Sequence, residues 1–574
     1  MPAPATNSVE FTGGWLKIMS DIDVDLRSGV PQASAVKPQT GRVGELSFAI
    51  SLILVGAILL GLFLSIMKLN AGTFIYTMDD PYITLAVSDQ IRHGNYGVNP
   101  GIHAAASSSI LFPALLALGS GTSVHPYLAL ILSCMALFAT LAIVWRFLLY
   151  LRLGEDTFGQ VVLAVSVLFL AVCMNLIGVV FTGAEHSLHI VATAACIYGL
   201  AIFLDEGRMP AWLPAVIVIA PLLRYEGLSL SIAAVLLIAW RGCWRTAAGC
   251  FALIVLFAGG FSLFLVSMGL PPLPSSVLTK SAVVSNGMNG AGLELLKTIG
   301  LNLLRMTFDR AGFPMLVIGV AAAVQCIREL PARPWRWTSH GLMALALACL
   351  IGGHAVAGRM VWFDDRYEDY ALLGTAMMGI YLARERIRGM LSNRSQRLIY
   401  CCAIAVLLPV ICWRYIWTTW RIPVAANNVY EQQFQMHRFI DEFYRGPVAV
   451  NDLGLVSYHN PNFVLDLGGL ASEKARALRM ENANADAYDE LVESSGVHLV
   501  IIYDEFFKGQ IPASWVKVAS MDLSHERVSV AMKEVQFYAT DVVTANKLRG
   551  ELKLFRVSLP QGVKLTIYGD ADSI

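Results

Sequence analysis

Charge is what this 574-residue chain has least of: 15% of its residues are Asp, Glu, Lys or Arg, against about 25% in a typical soluble domain. Together with 56% hydrophobic residues and a mean hydropathy of +0.59, that scarcity excludes an ordinary soluble enzyme and a disordered scaffold. An excess of one sign is missing too. The 42 basic and 42 acidic residues cancel, so no global field points to nucleic acid as a partner. Cysteine is sparse, and all ten cysteines fall in or beside apolar runs; no structural disulfide is expected in a polar region, and no Cys-x-x-Cys or Cys/His cluster suggests zinc. A glycine-rich phosphate loop is absent from the side read below as cytoplasmic. Nor does the chain hold an internal repeat of roughly 20 to 50 residues, which counts against a transporter built from two halves.

What the chain has is apolar runs of the length that crosses a bilayer, about 20 residues each. Eleven spans are expected, near residues 45–68, 125–150, 158–180, 186–204, 210–223, 227–240, 246–269, 311–327, 340–358, 368–384 and 399–420. Arg152, Arg208, Arg241 and Arg245, then Arg328, Arg333 and Arg336, then Arg384, Arg386, Arg388, Arg394 and Arg397 make every second loop basic. That alternation places the N-terminus in the cytoplasm and the C-terminus outside. Residues 1–44 are polar and rich in Pro, Ser and Gly and read as a flexible cytoplasmic tail; the first apolar run is too long and too far in to be a cleaved signal peptide. Residues 45–420 form the membrane domain, and residues 421–574 return to a soluble composition. Alternating runs at Gly446 to Val450, Asn462 to Leu467 and Val497 to Tyr503 predict strands, with helices at Ala471 to Met480 and Asp486 to Ser494. The expected fold class is a polytopic α-helical membrane protein with a C-terminal extracytoplasmic α/β domain.

The first outer loop, residues 69–124, carries the densest polar signal. Met78-Asp79-Asp80-Pro81-Tyr82-Ile83 sets two carboxylates ahead of an amphipathic helix with an Ile83, Val87, Ile91 stripe that ends at Gly94. Asp before Pro is a good helix N-cap, which accounts for Asp80 but leaves Asp79 unexplained. A second apolar helix, Ser109 to Leu118, is too short to span, so the loop is expected to lie along the outer membrane surface as two interfacial helices.

Other ionisable residues gather on the same face. Glu185, His186 and His189 open the fourth span; Arg224, Tyr225 and Glu226 separate the fifth and sixth; Lys280 follows Leu273-Pro274-Ser275-Ser276; Arg359, Asp364, Asp365, Arg366 and Glu368 separate the ninth and tenth. A solvated charge or a local ion pair accounts for any one of them. Ionisable groups at a membrane boundary are costly, however, and so many on one face point to a wet cavity. A carboxylate within reach of an acceptor hydroxyl can take its proton, and fixed Arg and Lys can stabilise charge on a departing phosphate. Such a set suits transfer onto a hydroxyl from a phosphate-linked donor.

These residues resemble the GT-C superfamily of integral membrane glycosyltransferases, which use polyprenyl-phosphate sugars. Asp79-Asp80-Pro81-Tyr82-Ile83, then Arg92 to Gly101 ending in Asn99-Pro100-Gly101, and the Ser107-Ser108-Ser109 turn look most like the arabinofuranosyltransferase branch known from mycobacterial cell-wall synthesis. Thr182-Gly183-Ala184-Glu185-His186 is similar to that branch's Gly-x-Glu-His, Arg224-Tyr225-Glu226-Gly227 to its Arg-Pro-Glu-Gly, and Leu273 through Lys280 to its Leu-Pro-Asn-Thr-x-x-x-Lys. Asp452-Leu453-Gly454 and Leu465 to Leu470 resemble its outer-domain pattern. Tyr225 stands where proline is usual and Ser275-Ser276 where Asn-Thr is usual, departures that bear on sugar and acceptor more than on mechanism.

The resemblance implies an inverting transfer on the outer face of a bacterial inner membrane, from a polyprenyl-phosphate sugar, arabinofuranose favoured, to a polysaccharide, glycolipid or protein acceptor. Residue by residue, it implies Asp79 as base and Asp80 as a cap or acceptor-positioning group. Lys280 with Arg359 or Arg366 would hold the donor phosphate, and Glu185, His186, Arg224 and Glu226 would orient sugar hydroxyls or brace the phosphate site. No cofactor is required and no cluster demands a metal, although neighbouring carboxylates admit a divalent cation. Two rival readings stand beside this one: a secondary transporter or lipid flippase, and a membrane scaffold whose C-terminal domain binds without chemistry.

Overall fold

The computed structural model of the chain describes residues 41–280, 292–309, 311–332, 337–358 and 366–569. The predicted tail lies outside the described residues up to residue 40, and helix begins at Arg42.

Each of the eleven apolar runs contains helix, but a count of eleven spans is not supported. Among the described residues six helices are long and apolar enough to cross a membrane: Arg42–Leu69, His125–Tyr150, His186–Glu206, Trp244–Ser267, Gly312–Glu329 and Ser339–Ala357. Gln396–Ile411 and Trp413–Trp420 meet at 67° and make a seventh if read as one bent span. Backbone breaks explain most of the shortfall. The run at 158–180 stops as helix at Cys173, where Asn175 turns left-handed at φ 51°, and resumes only as Leu176–Val180. The fifth run carries Pro221 and ends at Leu223, because Arg224 adopts an extended conformation before the Tyr225–Gly227 turn. Gly227 fits that turn because a Cβ would sit 2.8 Å from the Ala220 backbone. Asp369–Ser392 is long, but Arg384, Glu385, Arg386 and Arg388 fill its final turns.

Many of the long helices turn apolar side chains outward, the reverse of a soluble bundle. Ile53 on the first is 69% exposed and Leu263 on Trp244–Ser267 is 72% exposed, as side chains facing lipid tails would be. A further helix, Gly292–Phe308, which apolar-run counting does not anticipate, packs beside Gly312–Ala332 and Ser339–Ala357. In the first loop the amphipathic stripe forms the helix Asp80–Arg92, and the second predicted helix shrinks to Phe112–Ala117.

The C-terminal domain is a mixed six-stranded sheet with helices, in the order β2-β1-β3-β5-β4-β6. The strands are β1 (Val448–Val450), β2 (Val464–Asp466), β3 (Leu499–Ile502), β4 (Val516–Asp522), β5 (Glu534–Ala539) and β6 (Lys564–Ile567). β1 pairs in parallel with β2 and β3, and the remaining pairs are antiparallel. β1 and β3 are buried at every position, as continuous apolar runs in a covered parallel segment should be.

Two clasps bind the first loop to this domain. Asn99 acts as a side-chain mimic of a strand: its Nδ2 donates to the Val464 carbonyl at 2.8 Å and its Oδ1 accepts from the Val464 N–H at 2.9 Å. The Asp79 carboxylate accepts from the N–H groups of Gly454 at 2.6 Å and Leu455 at 2.8 Å. Gly454 allows this close approach, since a Cβ there would stand 2.7 Å from an Asp79 carboxylate oxygen.

Candidate functional site

The Asp79-Asp80 pair is set by an aromatic peg. Buried Tyr76 donates its hydroxyl to the Pro126 carbonyl at 2.8 Å, and the Thr77 N–H donates to the Phe181 carbonyl at 3.1 Å. The segment is thereby pinned to the start of one long helix and to the turn before another. Gly183 in that turn, at φ +64°, packs against the Tyr76 ring, where any Cβ would lie 2.5 Å from the ring edge.

From this anchor the two carboxylates diverge. Asp79 faces the C-terminal domain, where both of its oxygens take backbone N–H groups. Behind it lies Asp452, which accepts from the Tyr503 hydroxyl at 2.6 Å and from Gln433 Nε2 at 2.8 Å. Burial, and then the facing Asp452 carboxyl, push the Asp79 carboxyl above the usual carboxylate range; burial raises Asp452 as well. Asp80 is the first residue of its helix, one position inside the N-cap, which is Asp79 rather than the expected Asp80. The Asp80 Oδ2 accepts from Arg366 Nη2 at 2.6 Å, and its side chain remains 32% exposed.

That exposed side lines a small cleft, which also takes in Glu185, His186, Arg224, Arg366 and Tyr367. Arg224 is held by carboxylates on two sides, Glu185 at 2.6 Å and Glu226 at 2.6 Å, and Ser108 Oγ donates to Glu185 at 3.1 Å. Tyr367 lies between the arginines: the guanidinium carbons of Arg224 and Arg366 stand 5.2 Å and 5.0 Å from its ring centre. Both contacts are within cation–π range. The His186 ring meets Tyr367 edge-on at 5.4 Å.

Of the residues expected at the site, the structure thus brings Asp80, Glu185, His186, Arg224 and Arg366 to one cleft, with Glu226 bound to Arg224 beside it. Asp79 stands next to the cleft but bonds away from it. Arg359, Asp364 and Asp365 lie outside the described residues, as does the side chain of Lys280. The Ser275–Lys280 helix that carries Lys280 docks on the C-terminal domain, with Ser275 Oγ donating to Glu473 at 2.5 Å and Thr279 Oγ1 to the Gly469 carbonyl at 3.3 Å. Glu368 turns away to Arg414 at 2.6 Å. Asp466 holds its own loop, accepting from the N–H groups of Gly468 at 2.7 Å and Ala471 at 2.7 Å.

Sequence reasoning passed over Tyr367 and did not pair Asp79 with Asp452. An aromatic residue directly after an arginine in a charged loop is the signal that Tyr367 offered. Asp452 was visible only as part of an Asp-Leu-Gly pattern.

Fold and cleft together define a class: a multi-pass helical membrane protein with a C-terminal α/β domain and a charged cleft near the end of the bundle on which that domain sits. Residues 426–538 match a family profile described as a domain of unknown function (DUF8728). No curated protein matches the chain. Among solved structures, the chain is similar to the oligosaccharyltransferase of Archaeoglobus fulgidus, crystallised as a complex with Zn and sulfate. That likeness has 11% sequence identity and a TM-score of 0.44, over 88% of this chain and 74% of the other.

Proposed function

We propose that the protein is a glycosyltransferase that moves a sugar from a polyprenyl-phosphate donor to an acceptor hydroxyl at the membrane face carrying the C-terminal domain. The observation that carries this reading is the cleft itself, where a partly exposed carboxylate, Asp80, shares one small volume with two buried arginines. Taken as base, Asp80 removes the acceptor proton as the hydroxyl attacks the anomeric carbon. The bond from that carbon to the phosphate oxygen breaks on the opposite side, so the configuration inverts. The departing phosphate keeps the bonding electron pair and needs no general acid. Arg366 and Arg224 stabilise its charge, and Arg366 Nε has no hydrogen-bond partner among the described residues. Glu185 and Glu226 set the direction of Arg224, His186 packs edge-on against Tyr367, and all three face the sugar. Lys280 and Arg359 are further candidates for the donor phosphate. The motif order favours arabinofuranose as the sugar and a polysaccharide, glycolipid or protein as the acceptor, in a bacterial inner membrane with the N-terminus cytoplasmic.

The resemblance puts the base at Asp79; the hydrogen bonding supports Asp80 in that role and Asp79 as the residue that seats the C-terminal domain. The test is sugar transfer by the purified chain from synthetic polyprenyl-phosphate sugars, arabinofuranose included. Asp80→Asn is expected to lower kcat about 10² to 10⁴-fold, the range for loss of a general base, while Asp79→Asn retains more activity. The opposite ranking returns the base to Asp79. Absence of transfer from every such donor by the wild-type chain overturns the reading in favour of transport or scaffolding.

A further inference from the structure

About 13 Å along the first-loop helix from Asp80, at 1.5 Å per residue, a second group of polar side chains meets outside the cleft. Asp89 comes from that helix, His125 opens the helix His125–Tyr150, and His459 follows the short helix Gly454–Ser457 of the C-terminal domain. One ligand atom from each lies within 4.8 Å of the other two. We propose that these three residues bind a divalent zinc ion that fastens the C-terminal domain to the first loop.

The hydrogen bonds around the group set the direction of its ligands. Ser88 Oγ donates to the Leu85 carbonyl at 2.7 Å and lies 2.8 Å from His125 Nε2. With its only proton committed to the carbonyl, Ser88 accepts from an Nε2–H, so the lone pair of His125 is on Nδ1. Nδ1 lies 3.0 Å from the hydroxyl of Tyr458, the residue before His459. The ion takes that lone pair in place of the tyrosine proton, and the Nε2–H bond to Ser88 becomes the contact that fixes the ring, as partners of metal-bound histidines do. Asp89 is oriented in the same way, its Oδ1 accepting from Ser120 Oγ at 2.5 Å. His459 adopts a left-handed conformation at φ 56°, and its ring stacks on Tyr458 at 3.9 Å, so its direction too is set before any ion arrives.

Two imidazoles and one carboxylate make a donor set suited to zinc. Calcium and magnesium prefer oxygen alone. His459 is exposed and leaves a fourth position to solvent. The site is remote from the cleft and joins two parts of the chain, so the ion acts on stability rather than in the transfer step, and the inference does not depend on the proposed activity.

The test uses the full chain in detergent without a polyhistidine tag, stripped with EDTA, dialysed against zinc chloride and then against buffer. Wild type is expected to keep about one zinc per chain by elemental analysis and to show a higher Tm with zinc than without, and no such rise with magnesium. His459→Ala, at an exposed position, should lose both the retained zinc and the Tm response, and His459→Cys, which supplies another zinc ligand, should restore them. Equal zinc retention by wild type and His459→Ala overturns the proposal, as does wild type that leaves dialysis with no zinc.

Discussion

At the end of the bundle that carries the C-terminal domain, Arg224 and Arg366 are only 7% and 3% exposed; two carboxylates fix the first, Asp80 fixes the second, and both lie against the face of Tyr367. At the opposite end, Arg384, Arg388 and Arg397 bind Asp205, Glu385 and Asp156, and the last two acids are 67% and 59% exposed. Arg388 also donates to the Leu151 carbonyl at 2.8 Å. The same residue type therefore does two jobs. At the far end it ties loop ends together in contact with water, where an ion pair contributes little net energy and the useful property is a positive charge on one side of a membrane. At the near end it is desolvated, which is stabilising only while every partner is present.

The contrast is sharpest for stability. Arg224→Ala strands the buried Glu185 and the half-buried Glu226 without their counter-charge and is expected to cost about 3–5 kcal/mol, read as a large fall in Tm or failure of the purified chain to stay folded. A loss below about 1 kcal/mol would mean that water reaches this cleft as freely as it reaches the far end.

Acidity should separate the two ends next. The Asp79 and Asp452 carboxyls are raised above an unfolded value of about 4, so the folded chain holds more protons than the unfolded one above that pH. Stability from this contact is then fully present in acid and lost as pH rises through the raised range. Asp452→Asn removes the facing charge and should flatten the decline, measured as Tm against pH. A Tm that rises with pH over the same interval would contradict the placement of the pair. The smallest effect belongs to the far end. Arg397→Ala should change stability by no more than about 1 kcal/mol and lose even that in high salt, measured by the same melting assay.

How much of this was legible beforehand follows from the physics of each feature. Apolar runs report helix reliably, because a chain in lipid must satisfy its backbone internally. They do not report breaks, which here depend on single residues: Asn175 turning left-handed, and Arg224 leaving the helix to reach Glu185 and Glu226. The cleft was visible as charge in an apolar context, since Asp80, Glu185, Arg224 and Arg366 stand out against their neighbours. The assignment of tasks within it was not visible. Which of two adjacent aspartates faces the cleft is decided by Gly454 and Leu455, hundreds of residues later in the chain, and no local pattern encodes that. Strands β1 to β3 follow from short apolar runs, which prove continuous rather than alternating, whereas β4 to β6 carry polar residues such as Lys517, Gln536 and Lys564 and are fixed by pairing with one another.

The bond between Asp79 and Gly454 joins residues 375 positions apart. At the roughly 5–20 residues per second of synthesis, the first loop leaves the ribosome on the order of 20 to 75 seconds before the backbone that receives Asp79 exists. Through that interval the acidic pair has no C-terminal domain to settle against, and Asp79 gains its backbone partners only after nearly four fifths of these 574 residues have been joined.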